Sequence, residues 1–155
     1  MLFRSTDGAS TNDNLVLHEA MRLALTLHRP GERDRSRWLH AGDALDMATT
    51  AGAAALQNKD DLGKIAPGQL ADLVLYDLGR PRWVPCNDPA QQLVFGETGD
   101  SVHTVIVDGG VVVERGRLTT IDVGALVGEA RNLLAPIRNR NSDLQEAVRQ
   151  VTTMI

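Results

Sequence analysis

The chain has 155 residues, 43% of them hydrophobic and only 3% aromatic, and a formal net charge of −4 at neutral pH. That length fits one domain and cannot hold a complete (β/α)₈ barrel, which takes about 250 residues. The mild acidity, with no basic block and no apolar run long enough to cross a bilayer, argues against nucleic-acid and membrane partners. A single cysteine, Cys86, rules out an intrachain disulfide and a cysteine zinc cluster, and suits a reducing cytoplasm.

Met1–Arg4 is short and apolar, and Ser5–Asn14 reads as a polar loop. Leu15–His28 then reads as a helix with too many apolar positions for a narrow stripe, which predicts a well-buried element capped by Ser10, Thr11 or Asn12. Pro30-Gly31 ends it, and Glu32–Arg37 is a charged, exposed loop. Asp43 is expected to cap a second, alanine-rich helix through Leu56, whose Ala48, Gly52 and Ala55 permit close packing.

From Gly63 the pattern turns to β. Pro67-Gly68 suits a type II turn, because proline presets φ and glycine takes the positive-φ position. Ala71–Leu78 follows as a strand. It is apolar on both faces, which predicts a place inside a packed sheet. Arg82–Val84 begins an irregular connection through Pro85 and Pro89, and Gln91–Phe95 fits either a helical turn or a strand. Val102–Val107 and Val111–Glu114 flank Asp108-Gly109-Gly110, a hairpin signal. Arg117–Leu118 extends the sheet. Asp122 caps a helix to about Leu134, Pro136 interrupts it, and Ser142 opens a last helix through Val151.

Three strings, in order, resemble one family. Gly63-Lys64-Ile65-Ala66-Pro67-Gly68-Gln69-Leu70-Ala71-Asp72-Leu73-Val74-Leu75-Tyr76-Asp77 is similar to the entry into the C-terminal β-sandwich of metal-dependent amidohydrolases. Thr104–Glu114 resembles the valine-rich hairpin near the end of those enzymes. Ser5-Thr6-Asp7-Gly8-Ala9-Ser10-Thr11-Asn12-Asp13, followed by Glu19-Ala20-Met21-Arg22, resembles the end of the eighth barrel strand and its helix in the deaminase and chlorohydrolase branch.

The resemblance implies an α/β fragment: the C-terminal end of a (β/α)₈ barrel in residues 1–62, part of a composite β-sandwich in 63–120, and C-terminal helices in 121–155. It also implies that Asp7 binds the catalytic divalent metal, zinc or iron, and carries a proton between metal-bound water and substrate. A carboxylate suits both roles, since it stays anionic beside a cation and can accept a proton from an acidified water. The implied reaction is hydrolytic deamination of a heterocyclic amine, a carbon–nitrogen bond other than a peptide. Dehalogenation and cyclic-amide hydrolysis are the alternatives within the family.

The rest of the family's metal set, a His-x-His pair and two later histidines, has no match among His18, His28, His40 and His103. His18 and His28 are ten residues apart, about 280° around a helix, and cannot chelate together. All four histidines read as structural or surface groups. The isolated chain is therefore expected to be inactive and to bind no metal alone. Ser5 in place of the usual glycine, and the poor strand match of Met1–Arg4, imply a truncated start. A sandwich lacking its other strands is expected to self-associate or form homo-oligomers. The reading from a different class is a non-catalytic or oligomerisation module.

Overall fold

Local chemistry sets the ends of each element. The computed structural model describes residues 6–8, 13–143 and 146. The first helix, α1, spans Leu17–Thr26, shorter than the sequence pattern predicts. Leu15 has φ +52°, which excludes it from the helix. Asn14 organises the start, accepting from the Val16 N–H at 3.0 Å and donating to the Glu19 carboxylate. The expected caps Ser10, Thr11 and Asn12 lie outside the described residues. Burial is one-sided: Met21, Ala24 and Leu25 are buried, while Leu23 and Leu27 are exposed.

The predicted single helix 43–56 is two: α2, Ala41–Ala48, and α3, Thr50–Ala55. Asp43 is not the first cap. It sits one turn in and accepts from the His40 N–H at 2.7 Å, as the third-residue acid of a capping box does. The break falls at Thr49-Thr50, whose hydroxyls donate back to the Leu45 and Asp46 carbonyls. Such back-bonding competes with the helical ladder and bends it. The close-packing face of α2 is Ala41, Ala44 and Met47, all buried, rather than the Ala48 side.

The turn at Pro67-Gly68 forms as expected, with Gly68 at φ +89° and the Gln69 N–H bonded to the Ala66 carbonyl. β1 is only Leu73–Tyr76, and it pairs antiparallel with β2, Val102–Val107. The loop between them contains the short helix α4, Pro89–Gln91, which runs on as a π turn over Gln92–Gly96. That resolves the ambiguous Gln91–Phe95 segment as helical. β2 pairs with β3, Gly110–Glu114, through Asp108 and Gly109, both at positive φ as a type I′ hairpin requires. The sheet order is β1-β2-β3-β4, with β4 only Arg117–Leu118. Among the described residues β1 is thus an edge strand, not an interior one, and Val74 and Leu75 are half exposed.

The chain divides after Arg117 into two compact units. In the first, Met21, Leu25, Ala41, Ala44 and Val94 form the core, so α1, α2 and the π turn pack together. The second contains α5, Val123–Arg140, capped by Asp122, whose carboxylate accepts from the Ala125 N–H at 3.0 Å. Pro136 does not interrupt it: the helix continues four residues further. Proline removes one N–H, and the carbonyl it frees, on Asn132, belongs to an exposed residue that water can solvate. The helix expected from Ser142 to Val151 lies mostly outside the described residues.

Gly63 separates two causes of glycine use. It has φ +90°, and a Cβ there would sit 2.9 Å from the Thr50 Cα and 3.0 Å from the Thr49 carbonyl oxygen. Gly68 has nearly the same φ with open space around it. Gly68→Ala is expected to cost about 1 kcal/mol from backbone strain alone. Gly63→Ala is expected to cost about 3 kcal/mol, because overpacking adds to that strain. Denaturant midpoints of the two variants measure the difference, and equal losses would contradict the close approach.

Candidate functional site

Asp7 is exposed and has φ +59°, a left-handed conformation that aspartate tolerates better than most side chains. Its own carboxylate accepts the Gly8 N–H at 2.8 Å, and the Thr6 hydroxyl donates to its carbonyl at 3.3 Å. Asp7 precedes α1 in the chain.

The histidines are dispersed. His40 precedes α2 and His28 follows α1, both exposed, while His103 bonds the Thr104 hydroxyl on β2 at 2.9 Å. His18 is half-buried on α1, where its Nε2 lies 2.9 Å from the Tyr76 hydroxyl and its ring meets the tyrosine edge-on. Burial, partly opposed by the Glu97 charge and aided by Arg22, holds the His18 pKa below the usual histidine value. Burial and the same Glu97 charge push the Tyr76 hydroxyl up. The pair therefore stays neutral around pH 7 and serves to close one wall of an apolar cavity. That cavity, about 590 Å³, is bounded by α1, α2 and β1, with Leu17, Met21, Leu45 and Leu73 among its walls.

The strongest polar centre was not foreseen from sequence. Glu97 is fully buried. Its Oε2 accepts from the Trp83 indole N–H at 3.0 Å, and its Oε1 from the N–H groups of Thr98, Gly99 and Ser101. Burial alone would raise its pKa, but these backbone N–H donors outweigh it and hold the carboxyl below the usual glutamate value. Arg22 reaches across from α1 to the Val94 and Glu97 carbonyls. Arg82 does the same for the Gly96 carbonyl while pairing with Asp100 at 2.7 Å. The only sequence signal was a glutamate two residues before a glycine, which is too common to single out. The group is structural, since both its oxygens are taken by donors of the fold.

Among the described residues, no three His, Cys, Asp or Glu side chains come together to hold a metal ion. None of their helices is long and apolar enough to cross a membrane.

Comparison with known proteins decides the lineage. The model of the amidohydrolase family matches residues 1–112, most of the chain and inclusive of Asp7. The chain belongs to the amidohydrolase family. Its amidohydrolase relatives include a 5-methylthioadenosine/S-adenosylhomocysteine deaminase from Acetivibrio thermocellus, 41% identical over 117 residues, covering 76% of this chain and 27% of that protein. An adenosine deaminase from Xanthomonas campestris, solved with bound zinc, superposes with a TM-score of 0.80 at 32% identity over 86% of this chain and 30% of that one. The zinc complex of atrazine chlorohydrolase from Arthrobacter aurescens does so at 0.73 and 34% identity, over 81% and 28%. These are enzymes of the deaminase and chlorohydrolase branch, as the motifs implied. The chain spans about 30% of the length of the amidohydrolases it matches.

The depressed Glu97 pKa has a sign in stability. The unfolded chain binds the proton more readily, so the stabilisation is present above pH 4.5 and is lost as pH falls through the lower folded value. Glu97→Ala is expected to lower stability at pH 7 by roughly 3 kcal/mol or more, since four donors lose their acceptor. The gap to the unaltered chain should narrow in acid. Thermal melts between neutral pH and pH 3 check this, and a gap independent of pH would contradict it.

Proposed function

We propose that this chain is the C-terminal part of a metal-dependent hydrolytic deaminase, and that Asp7 is its contribution to the divalent-metal site. The reading is carried by the family match across residues 1–112, which includes Asp7, together with relatives named as deaminases. Their names point to the exocyclic amine of an adenine nucleoside as the bond hydrolysed. Zinc is the favoured metal, since both zinc-bound relatives are more than 30% identical.

The described residues do not by themselves suit a metal, because a site needs several protein ligands held together and only Asp7 is offered. On this reading Asp7 is one ligand of a larger set, and the isolated chain is expected to be inactive. Bound by a complete set, the metal would supply a water acidified toward neutrality. The part of Asp7 is to present a solvent-exposed carboxylate that can accept and return a proton. A second reading, dehalogenation, is favoured by the likeness to the chlorohydrolase.

A chimera tests the proposal. The 155-residue chain replaces the matching C-terminal region of the Acetivibrio thermocellus deaminase, and ammonia release from 5-methylthioadenosine and S-adenosylhomocysteine is measured alongside chloride release from a chlorotriazine. Ammonia release is expected, falling by about 10²–10⁴-fold in Asp7→Asn, the range for removal of a positioned proton-transfer group. A folded, zinc-loaded chimera that releases chloride but no ammonia would overturn deamination. Full activity in Asp7→Asn would overturn the role of that residue.

A further inference from the structure

The loop after α1 holds four arginines, Arg29, Arg33, Arg35 and Arg37, against two carboxylates, Glu32 and Asp34, in a chain that is acidic as a whole. Its two 3-10 turns, Arg29–Gly31 and Arg35–Arg37, fold it back beside the end of the helix. The guanidinium carbon of Arg29 lies 4.9 Å from the centre of the Trp38 ring and 5.7 Å from that of Phe95. A second arginine, Arg35, stands 5.6 Å from the same indole. Two rings this close restrict where the Arg29 guanidinium can lie, and each attracts its charge. Yet among the described residues Arg29 forms no ion pair, and its Nε is buried without a hydrogen-bond partner.

Arg29 borders a cavity of about 220 Å³, whose walls also carry His28, Arg37 and Trp38. Glu32 is the one carboxylate on the walls, and both its oxygens are taken. One pairs with Arg37 at 3.1 Å and the other accepts the Asp34 N–H at 3.0 Å. Asp34 is turned to the Ser36 N–H and hydroxyl. The carbonyl end of α1 opposes an anion here, so the arginines must outweigh it.

We propose that this cavity binds a small oxyanion, a carboxylate or a phosphate group, on the Arg29 guanidinium with Arg37 beside it. A guanidinium presents paired N–H donors that match the oxygens of either group. One already held between two aromatic rings loses less freedom on binding than a free side chain would. The volume lies below the range of about 300–1,000 Å³ usual for drug-sized ligands, so the cavity suits an acidic group or a small acid rather than a whole nucleoside.

Titration of the full chain with inorganic phosphate, and separately with acetate, at constant ionic strength tests this by calorimetry and tryptophan emission. One saturable site in the millimolar range or tighter is expected, with sodium chloride giving no saturation. Arg29→Gln should weaken it at least tenfold, and Arg33→Gln, outside the cavity walls, should leave it unchanged. The tighter of the two anions identifies the group. A linear, non-saturating response of the unaltered chain to both anions would overturn the proposal, as would an undiminished site in Arg29→Gln. If Arg29→Gln fails to fold, Arg37→Gln decides: weaker binding supports the site, and unchanged binding overturns it.

Discussion

The buried Glu97 carboxylate is the constraint on which the first unit depends. A charge without water must be matched by donors, and here they come from different parts of the chain. Trp83 lies before α4, and Thr98, Gly99 and Ser101 form the turn into β2. Arg22 adds a tie from α1 to the carbonyls around the same carboxylate. One anion thus fixes where the helical layer meets the start of the central strand. Removing it would leave buried donors without acceptors, a larger loss than any single hydrogen bond contributes in net terms.

That tie determines what else can be built nearby. With β2 anchored, β1 lies on one side of it and β3 on the other, and the Asp108-Gly109 hairpin is held to the start of β1 by the Asp72 carboxylate at 2.7 Å. Among the described residues the outer edge of β1 has no neighbouring strand in the sheet. The cavity bounded by α1, α2 and β1 is apolar apart from a few groups such as the His18–Tyr76 pair, so packing rather than chemistry is its natural use. The ends of α1 carry the candidate functions: Asp7 precedes it, and the arginine-lined cavity follows it.

What was legible in the amino-acid sequence was whatever a few adjacent residues decide. Pro67-Gly68, Asp108-Gly109 and the Asp122 cap follow from backbone preferences, and each forms as expected. Misreadings arose where distant or competing groups decide. Thr49 and Thr50 turn their hydroxyls onto the helix that contains them, Pro136 is tolerated because its helix is exposed, and the apolar pattern of β1 does not reveal that it is an edge. Glu97 was invisible because its partners are fixed by tertiary packing. The role proposed for Asp7 rests on the family resemblance and on nothing in its local geometry: a left-handed aspartate beside a glycine is an ordinary backbone feature.

The central claim is that this chain carries one member of a metal site and not the site itself. Equilibrium zinc binding to the isolated 155-residue chain and to its Asp7→Asn variant tests it most directly. Only weak binding is expected, without a defined stoichiometry, and Asp7→Asn should barely alter it. One equivalent of tightly bound zinc, lost on replacing Asp7, would contradict it.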